Sequence, residues 1–295
     1  MKKLYDERKV IQLYSDGYSS NEIANIFNLN GQTILNCLHR NNIIVKDCND
    51  PIYLGRNKIN KFDTSFFFTE SEKLAYMMGF ILGDGNLRLN KKHSAYRITI
   101  TAHVNDLSHI VMFCDWIKYD PKNIGFSKKV KRCDLMLNDK VFDTKSDYFK
   151  EWGIVPVKTY NPIIPIAPIL NDKRMLRLFL IGLIDADGSV SFKYGGRYGI
   201  ELVGNNVIMS WVKSMFDLIG YGGQLLIVGK DEDIWSRIVI QKKLDVLELA
   251  KALDIKNCDF CMDRKWSDIK KALADDAPEY MLRKCTVNDY NKNYI

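Results

Sequence analysis

Two kinds of hydrophobic spacing divide the chain, and they change over near residue 70. Up to residue 45 the apolar residues come in short groups at helical intervals. Val10, Ile11, Leu13 and Tyr14 fall between Glu7 and Ser15, with Gly17 placed to end that helix. Ser19 or Ser20 is a good N-cap for a second helix, with Glu22 and then Ile23, Ala24, Ile26 and Phe27 behind it. Asn28-Leu29-Asn30-Gly31 predicts a tight turn, and residues 32–40 a third helix burying Ile34, Leu35 and Leu38. From Lys46 to Phe62 the chain is polar, lacks helical period and carries Pro51 and Gly55, the pattern of a linker.

Beyond the linker stand two nearly continuous apolar runs, residues 74–83 and 178–184, both too short to cross a bilayer. Thr69 with Glu72 predicts a capping box before the first, and Asn171 an N-cap before the second. Each run ends in Asp-Gly, at Asp84-Gly85 and Asp187-Gly188, 103 residues apart. The segments after the two runs are alike. Alternating residues 97–101 and 189–193 predict strands, and helices come next near 107–118 and 207–219. Strands around 126–137 and 225–241 and helices near 142–152 and 244–253 complete the series. The order is helix, two strands, helix, two strands, helix, twice over. The expected class is therefore α+β, with two tandem αββαββα repeats of antiparallel sheet behind a small all-α N-terminal domain. The expected boundaries are 1–45 for the helical domain, 46–68 linker, 69–160 first repeat, 161–170 linker, 171–275 second repeat and 276–295 polar tail.

Composition narrows the function classes only a little. A net charge of +7 and a pI near 8.9 favour a polyanionic partner without requiring one. Seven cysteines, an odd count without an apolar leader at the N-terminus, point to a reducing compartment. Cys258 and Cys261 make one C-x-x-C with only Cys285 after it, which is too little for a zinc site, so they read as ordinary thiols.

The two runs carry the chemistry. Leu180-Ile181-Gly182-Leu183-Ile184-Asp185-Ala186-Asp187-Gly188 departs from the string LAGLIDADG only at Ile181, and the first copy keeps Gly79, Ile81, Asp84 and Gly85. Gly79 and Gly83 share one helix face, as do Gly182 and Ala186, so two such helices can approach more closely than leucine-lined ones. Two carboxylates brought together at helix C-termini repel each other and oppose the dipole, which favours protonation of one or a hard cation between them. Asp185 lies about 200° around the helix from Asp187 and has Leu82 as its counterpart, so it is assigned no metal.

The chain thus resembles the LAGLIDADG homing endonucleases, over about two-thirds of its length. The resemblance implies a pseudo-two-fold, monomeric, Mg²⁺- or Mn²⁺-dependent enzyme that cuts double-stranded DNA at a long, asymmetric site. It places Asp84 and Asp187, with Gly83 and Ala186 beside them, in the metal-holding role, and Lys158 and Lys265 near the reacting water. His103 and Asn205, past the second strand of each repeat, are candidates for ordering that water. For DNA contact the polar strand faces offer Arg88, Asn90, Arg97, Thr99 and Thr101 in the first repeat. The second offers Ser189, Ser191, Lys193, Arg197 and Glu201, and Lys128, Lys129, Lys131 and Arg132 suit phosphates. The N-terminal helices are similar to the helix-turn-helix family, which would direct Gln32, Thr33, Asn36 and Arg40 into the major groove. Two rival readings use the same fold: an intron maturase that binds structured RNA, its own intron among them, or a cleavage-inactive transcriptional regulator. The Asn-, Ile- and Lys-rich composition suggests an A·T-rich genome, and the expected setting is the cytoplasm of a bacterium or phage-infected host, or an organelle matrix.

Overall fold

The computed structural model describes residues 5–16, 18–43, 62–90, 95–127, 130–139, 141–192, 198–229 and 234–274. The chain divides into two compact units, residues 1–59 and 60–295.

The first unit holds α1 (Glu7–Ser15), α2 (Ser20–Phe27) and α3 (Gly31–Arg40) around its own core of Val10, Tyr14, Ile23, Ala24, Ile34, Cys37 and Leu38. Local chemistry sets its helix ends. Asp6 caps α1, and Ser19, rather than Ser20, forms a full capping box with Glu22. Asn28 ends α2 in the left-handed region at φ 53°, which asparagine tolerates, and Asn30 caps α3. Leu35 is only half-buried and Cys37 is buried in its stead. The expected stop at Gly17 and the C-terminal tail, 276–295, lie outside the described residues.

The second unit is the predicted double repeat. The first half runs α4 (Glu72–Asp84), β1 (Gly85–Asn90), β2 (Ala95–His103), α5 (Leu107–Trp116), β3 (Gly125–Ser127), β4 (Arg132–Asn138), α6 (Val141–Thr144) and α7 (Ser146–Glu151). The second half runs α8 (Lys173–Asp187), β5 (Gly188–Phe192), β6 (Tyr198–Asn205), α9 (Asn206–Ile219), β7 (Leu226–Val228), β8 (Trp235–Ile240), α10 (Lys243–Ala252) and α11 (Asp263–Ala274). Each half builds a four-stranded antiparallel sheet with the same order, first strand, second, fourth, third. One continuous core joins the halves, with both apolar runs at its centre.

Four details depart from the sequence reading. Residues 64–68, expected to be linker, form a 3-10 turn whose Phe67 is fully buried in this core, packed against Phe142 and Phe149. The caps of the two long helices are Ser71 and Asp172, not Thr69 and Asn171, and Glu72 instead pairs with Arg174 of the other long helix. Residues 97–101 belong to the second strand of their repeat, so the counterpart of residues 189–193 is β1, whose apolar-polar alternation starts directly at Gly85. The last helix of the first half is broken in two, and α11 is an additional helix with no counterpart there.

Helices α4 and α8 meet through their small residues. A Cβ on Gly79 would stand 1.9 Å from the Phe179 carbonyl oxygen, and one on Gly182 2.0 Å from that of Tyr76. Tyr76 and Phe179 are themselves equivalent positions, so each helix repeats on its partner the contact it receives, as a local two-fold requires. Glycine inside a helix costs roughly 0.5–1 kcal/mol against alanine. Here nothing larger fits, and the close backbone approach offsets that cost.

Candidate active site

The two helices converge at their C-terminal ends. A Cβ on Gly83 would meet the Ala186 Cβ at 2.4 Å and the Asp187 carboxyl carbon at 3.2 Å, so Asp187 lies directly against the tail of α4, whose last residue is Asp84. Burial, then the neighbouring Asp187 charge, pushes the Asp84 carboxyl up to about 6. Asp187 is raised as well, by desolvation, while Lys158 and Lys265 pull it back. Asp187 also keeps an open side toward solvent, which screens its charge more than that of the half-buried Asp84.

Two lysines cap these helix ends. Lys158 Nζ donates to the carbonyls of Ile81 (2.9 Å), Leu82, Gly83 (2.6 Å) and Gly85 (2.6 Å). Lys265 Nζ donates to Ile184 (2.9 Å), Asp185 (2.5 Å) and Gly188 (2.6 Å), the same positions one repeat later. An ammonium group is the natural complement to the negative end of a helix dipole. Burial nevertheless lowers both lysines to about 8, against the pull of the acids. Their backbone settings differ: Lys158 comes from a turn and Lys265 from the first turn of α11. Tertiary placement alone makes them equivalent.

A cleft of about 210 Å³ opens beside Asp187, with Gly83, Lys158, Thr159, Asn205, Val203 and Trp235 in its lining. Among the described residues no cluster of three or more His, Cys, Asp or Glu gathers in the manner of a closed metal centre. The donors at the helix ends are carboxylate and carbonyl oxygens, with no sulfur or imidazole, and two acids raised together favour a dication over bare repulsion. That donor set fits a hard divalent cation. The Gly83 carbonyl is occupied by Lys158, which leaves the carboxylates as the principal donors.

His103 and Asn205 have another task. His103 Nδ1 accepts from the Asn105 amide, and Asn205 Oδ1 accepts from the Val207 amide, so both cap the turn that comes after their strand. Asn205 Nδ2 also donates to the Thr159 carbonyl, fixing the loop that carries Lys158.

Strand register tests the expected contact faces. Arg88 stands opposite Arg97, and Thr99 and Thr101 continue along the same outward face; the Asn90 side chain lies outside what the structure describes. Ser189 opposite Glu201, then Ser191, form the corresponding face of the second sheet. Arg97 donates to Asn138 (2.6 Å), and Glu201 is paired with Arg237 at 2.9 Å. Lys131 and Arg132 are exposed at the start of β4; Lys128, Lys129, Lys193 and Arg197 lie outside the described residues. In the N-terminal unit Gln32 and Asn36 are exposed and hydrogen-bonded to each other at 3.1 Å, and Thr33 is half-buried. Arg40 reaches back to Glu7 (2.8 Å) and Tyr5, bracing α3 against α1.

Asp185 is the residue the motif undervalued. It is 1% exposed, and its carboxylate accepts from the Tyr76 hydroxyl (2.6 Å), the Met262 amide (2.8 Å) and Trp266 Nε1 (2.6 Å). Because Tyr76 donates to Asp185, His109 Nε2, 2.8 Å from the same hydroxyl, must donate to Tyr76. Burial holds His109 neutral, down to about 4. Asp185 thus ties the segment that carries Lys265 to the end of α8, and Arg264 fastens the same segment to Asp106 at 2.9 Å. The available signal was an acid in an apolar helix, which must find donors or stay unpaired.

No protein-family model matches the chain. An uncharacterized protein of Methanocaldococcus jannaschii is 29% identical over 170 residues, 56% of this chain, and the match spans 57% of that protein. Among solved structures, the LAGLIDADG meganuclease I-AabMI bound to uncleaved DNA is similar at a TM-score of 0.43 and 13% identity, over 71% of this chain and 96% of that one. I-SmaMI bound to cleaved DNA gives 0.43 and 11%, over 73% and 95%. I-DmoI with DNA and Ca gives 0.42 and 20%, over 63% and 90%. I-AabMI and I-SmaMI are LAGLIDADG nucleases by name.

Proposed function

We propose that this chain is a divalent-metal-dependent, site-specific DNA endonuclease of the LAGLIDADG type. One observation carries the reading: two packed helices end against each other in Asp84 and Asp187, with Lys158 and Lys265 bound to three equivalent carbonyls of each tail. A helix pair serving only stability gains nothing from two partly desolvated acids at the wrong end of the dipole. An RNA-binding maturase or a regulator needs neither acid.

In this reading Asp84 and Asp187 hold Mg²⁺ or Mn²⁺, with the Gly83 and Ala186 backbone close by. A cation held there would supply an activated water and charge neutralisation at the scissile phosphate. The chain's own groups do the rest. Lys158 and Lys265 neutralise the helix ends, fix the acids' backbone and present positive charge to the phosphodiester. The outward faces of the sheets lie along the duplex, and because they differ, the target is asymmetric. The three-helix unit adds affinity by linked binding through Gln32, Thr33 and Asn36. One chain supplies both acids, so a monomer suffices.

The test is cleavage of a plasmid library of randomised duplex inserts by the full chain. Linearised product with Mg²⁺, none with EDTA, and none from Asp187→Asn is the expected pattern. Cutting that persists in Asp187→Asn, or that ignores EDTA, overturns it.

A further inference from the structure

The two sheets present unlike surfaces, and the difference can be traced rung by rung. Gly85 opposite Ile100 in the first sheet matches Gly188 opposite Leu202 in the second, so Thr101 stands where Val203 stands. Across the next strand Asp134 and Arg132 occupy the places of Arg237 and Trp235, and at the edge Gly125 occupies that of Val228. The first sheet is polar here: Thr101 Oγ1 donates to Asp134 at 2.7 Å, and Arg132 pairs with Asp134 at 3.1 Å. The second is apolar. Val203, Val228 and Trp235 are 46%, 45% and 49% exposed, with Leu226 one rung further at 61%. The charges among them, Arg237 and Glu201, pair with each other.

Apolar side chains at successive outward positions of a sheet cost free energy unless something covers them. Val203 and Trp235 line the cleft that contains Asp187 and Lys158, so whatever lies against that acid covers them too. If the occupant is duplex DNA, the chemistry narrows further. The major groove offers apolar side chains, aliphatic or aromatic, one apolar group that distinguishes a base, the thymine 5-methyl.

We propose that Val203, Val228 and Trp235 read thymine methyl groups in the half-site under the second sheet, while the first sheet reads its half by hydrogen bonds. The proposal rests on the nuclease reading above. It makes the target asymmetric in the kind of contact as well as in sequence, with the second half T-rich.

The test uses the full chain and a random-sequence duplex library. Selected duplexes are remade with deoxyuridine for thymidine, one half at a time, and their Kd values compared at fixed salt. Loss of one buried methyl corresponds to about a fourfold weakening. That penalty is expected for each contacted thymine in one half and less than twofold in the other. Val203→Ser, which removes both γ-methyl groups, should remove part of the penalty and so identify that half as the one under the second sheet. Equal penalties in the two halves, no penalty in either, or a penalty untouched by Val203→Ser overturns the proposal. Failure of the reading it rests on looks different: no duplex enriched at all ends both, whereas a duplex that is enriched but left uncut with Mg²⁺ overturns the nuclease reading alone.

Discussion

The two motif helices share a backbone plan and differ at one decisive position. Both end in an acid, both have their last carbonyls held by a lysine, and both surrender side chains to let the other approach. Two residues before the acid, the first helix has buried Leu82 and the second has buried Asp185. Leu82 needs only apolar neighbours. Asp185 recruits three donors, from α4, from the residue before α11 and from α11 itself. The symmetric positions are those facing the site, and the asymmetric one faces the scaffold. Equivalence holds at the helix ends and is lost where each half anchors a different piece of chain.

That comparison can be broken most decisively at the acids. Asp84→Asn should depress cleavage as severely as Asp187→Asn, by about 10²–10³-fold or more in single-turnover assays, with DNA binding retained. A variant of Asp84 that still cuts at a normal rate would show the first motif to be a decayed copy. Next in size is the asymmetric position. Asp185→Leu, which makes the second helix like the first, leaves buried donors unpaired and should cost about 3–5 kcal/mol by denaturant unfolding. Unchanged stability would mean that the three hydrogen bonds contribute nothing net.

The lysines come third. Lys158→Met and Lys265→Met should each slow cutting by roughly 10–100-fold. With both lysines near 8, wild-type activity should fall as pH rises above that value and the ammonium groups are lost. A flat profile to pH 10 in single-turnover rates contradicts this. The smallest effect concerns metal-free stability. A folded carboxyl raised to about 6, against an ordinary value of 3.8, loses stability as pH climbs between those values. Asp84→Asn should therefore be about 1–3 kcal/mol more stable than wild type above pH 6 in EDTA, with the gain gone below pH 4. Asp187→Asn should gain less, since its carboxylate is the more exposed of the two and solvent screens it.

Much of this was legible beforehand because it is written in periodicity. The repeat, the two sheets, the three N-terminal helices and the pairing of Asp84 with Asp187 come from apolar spacing and a motif that recurs. The misreadings have local causes. Thr69 and Asn171 are good caps by type, but Ser71 and Asp172 are the residues positioned to accept from the first free amides. His103 and Asn205, expected near the reacting water, each cap the turn or helix that follows their strand, and Asn205 also lines the cleft beside Asp187. Phe67 lies in a stretch that reads as linker, because its packing partners Phe142 and Phe149 come from more than 70 residues away.

The sequence by itself determined the elements, their order and the residue types at the helix ends, since these depend on backbone preference and on which faces must avoid water. Tertiary structure alone decided that Lys158 in a turn and Lys265 in a helix reach equivalent carbonyls, that Asp185 becomes a buried anchor, and that Val203 and Trp235 border the acid. Such relations join residues far apart in the chain. They depend on where packed surfaces come to rest, which no local pattern encodes.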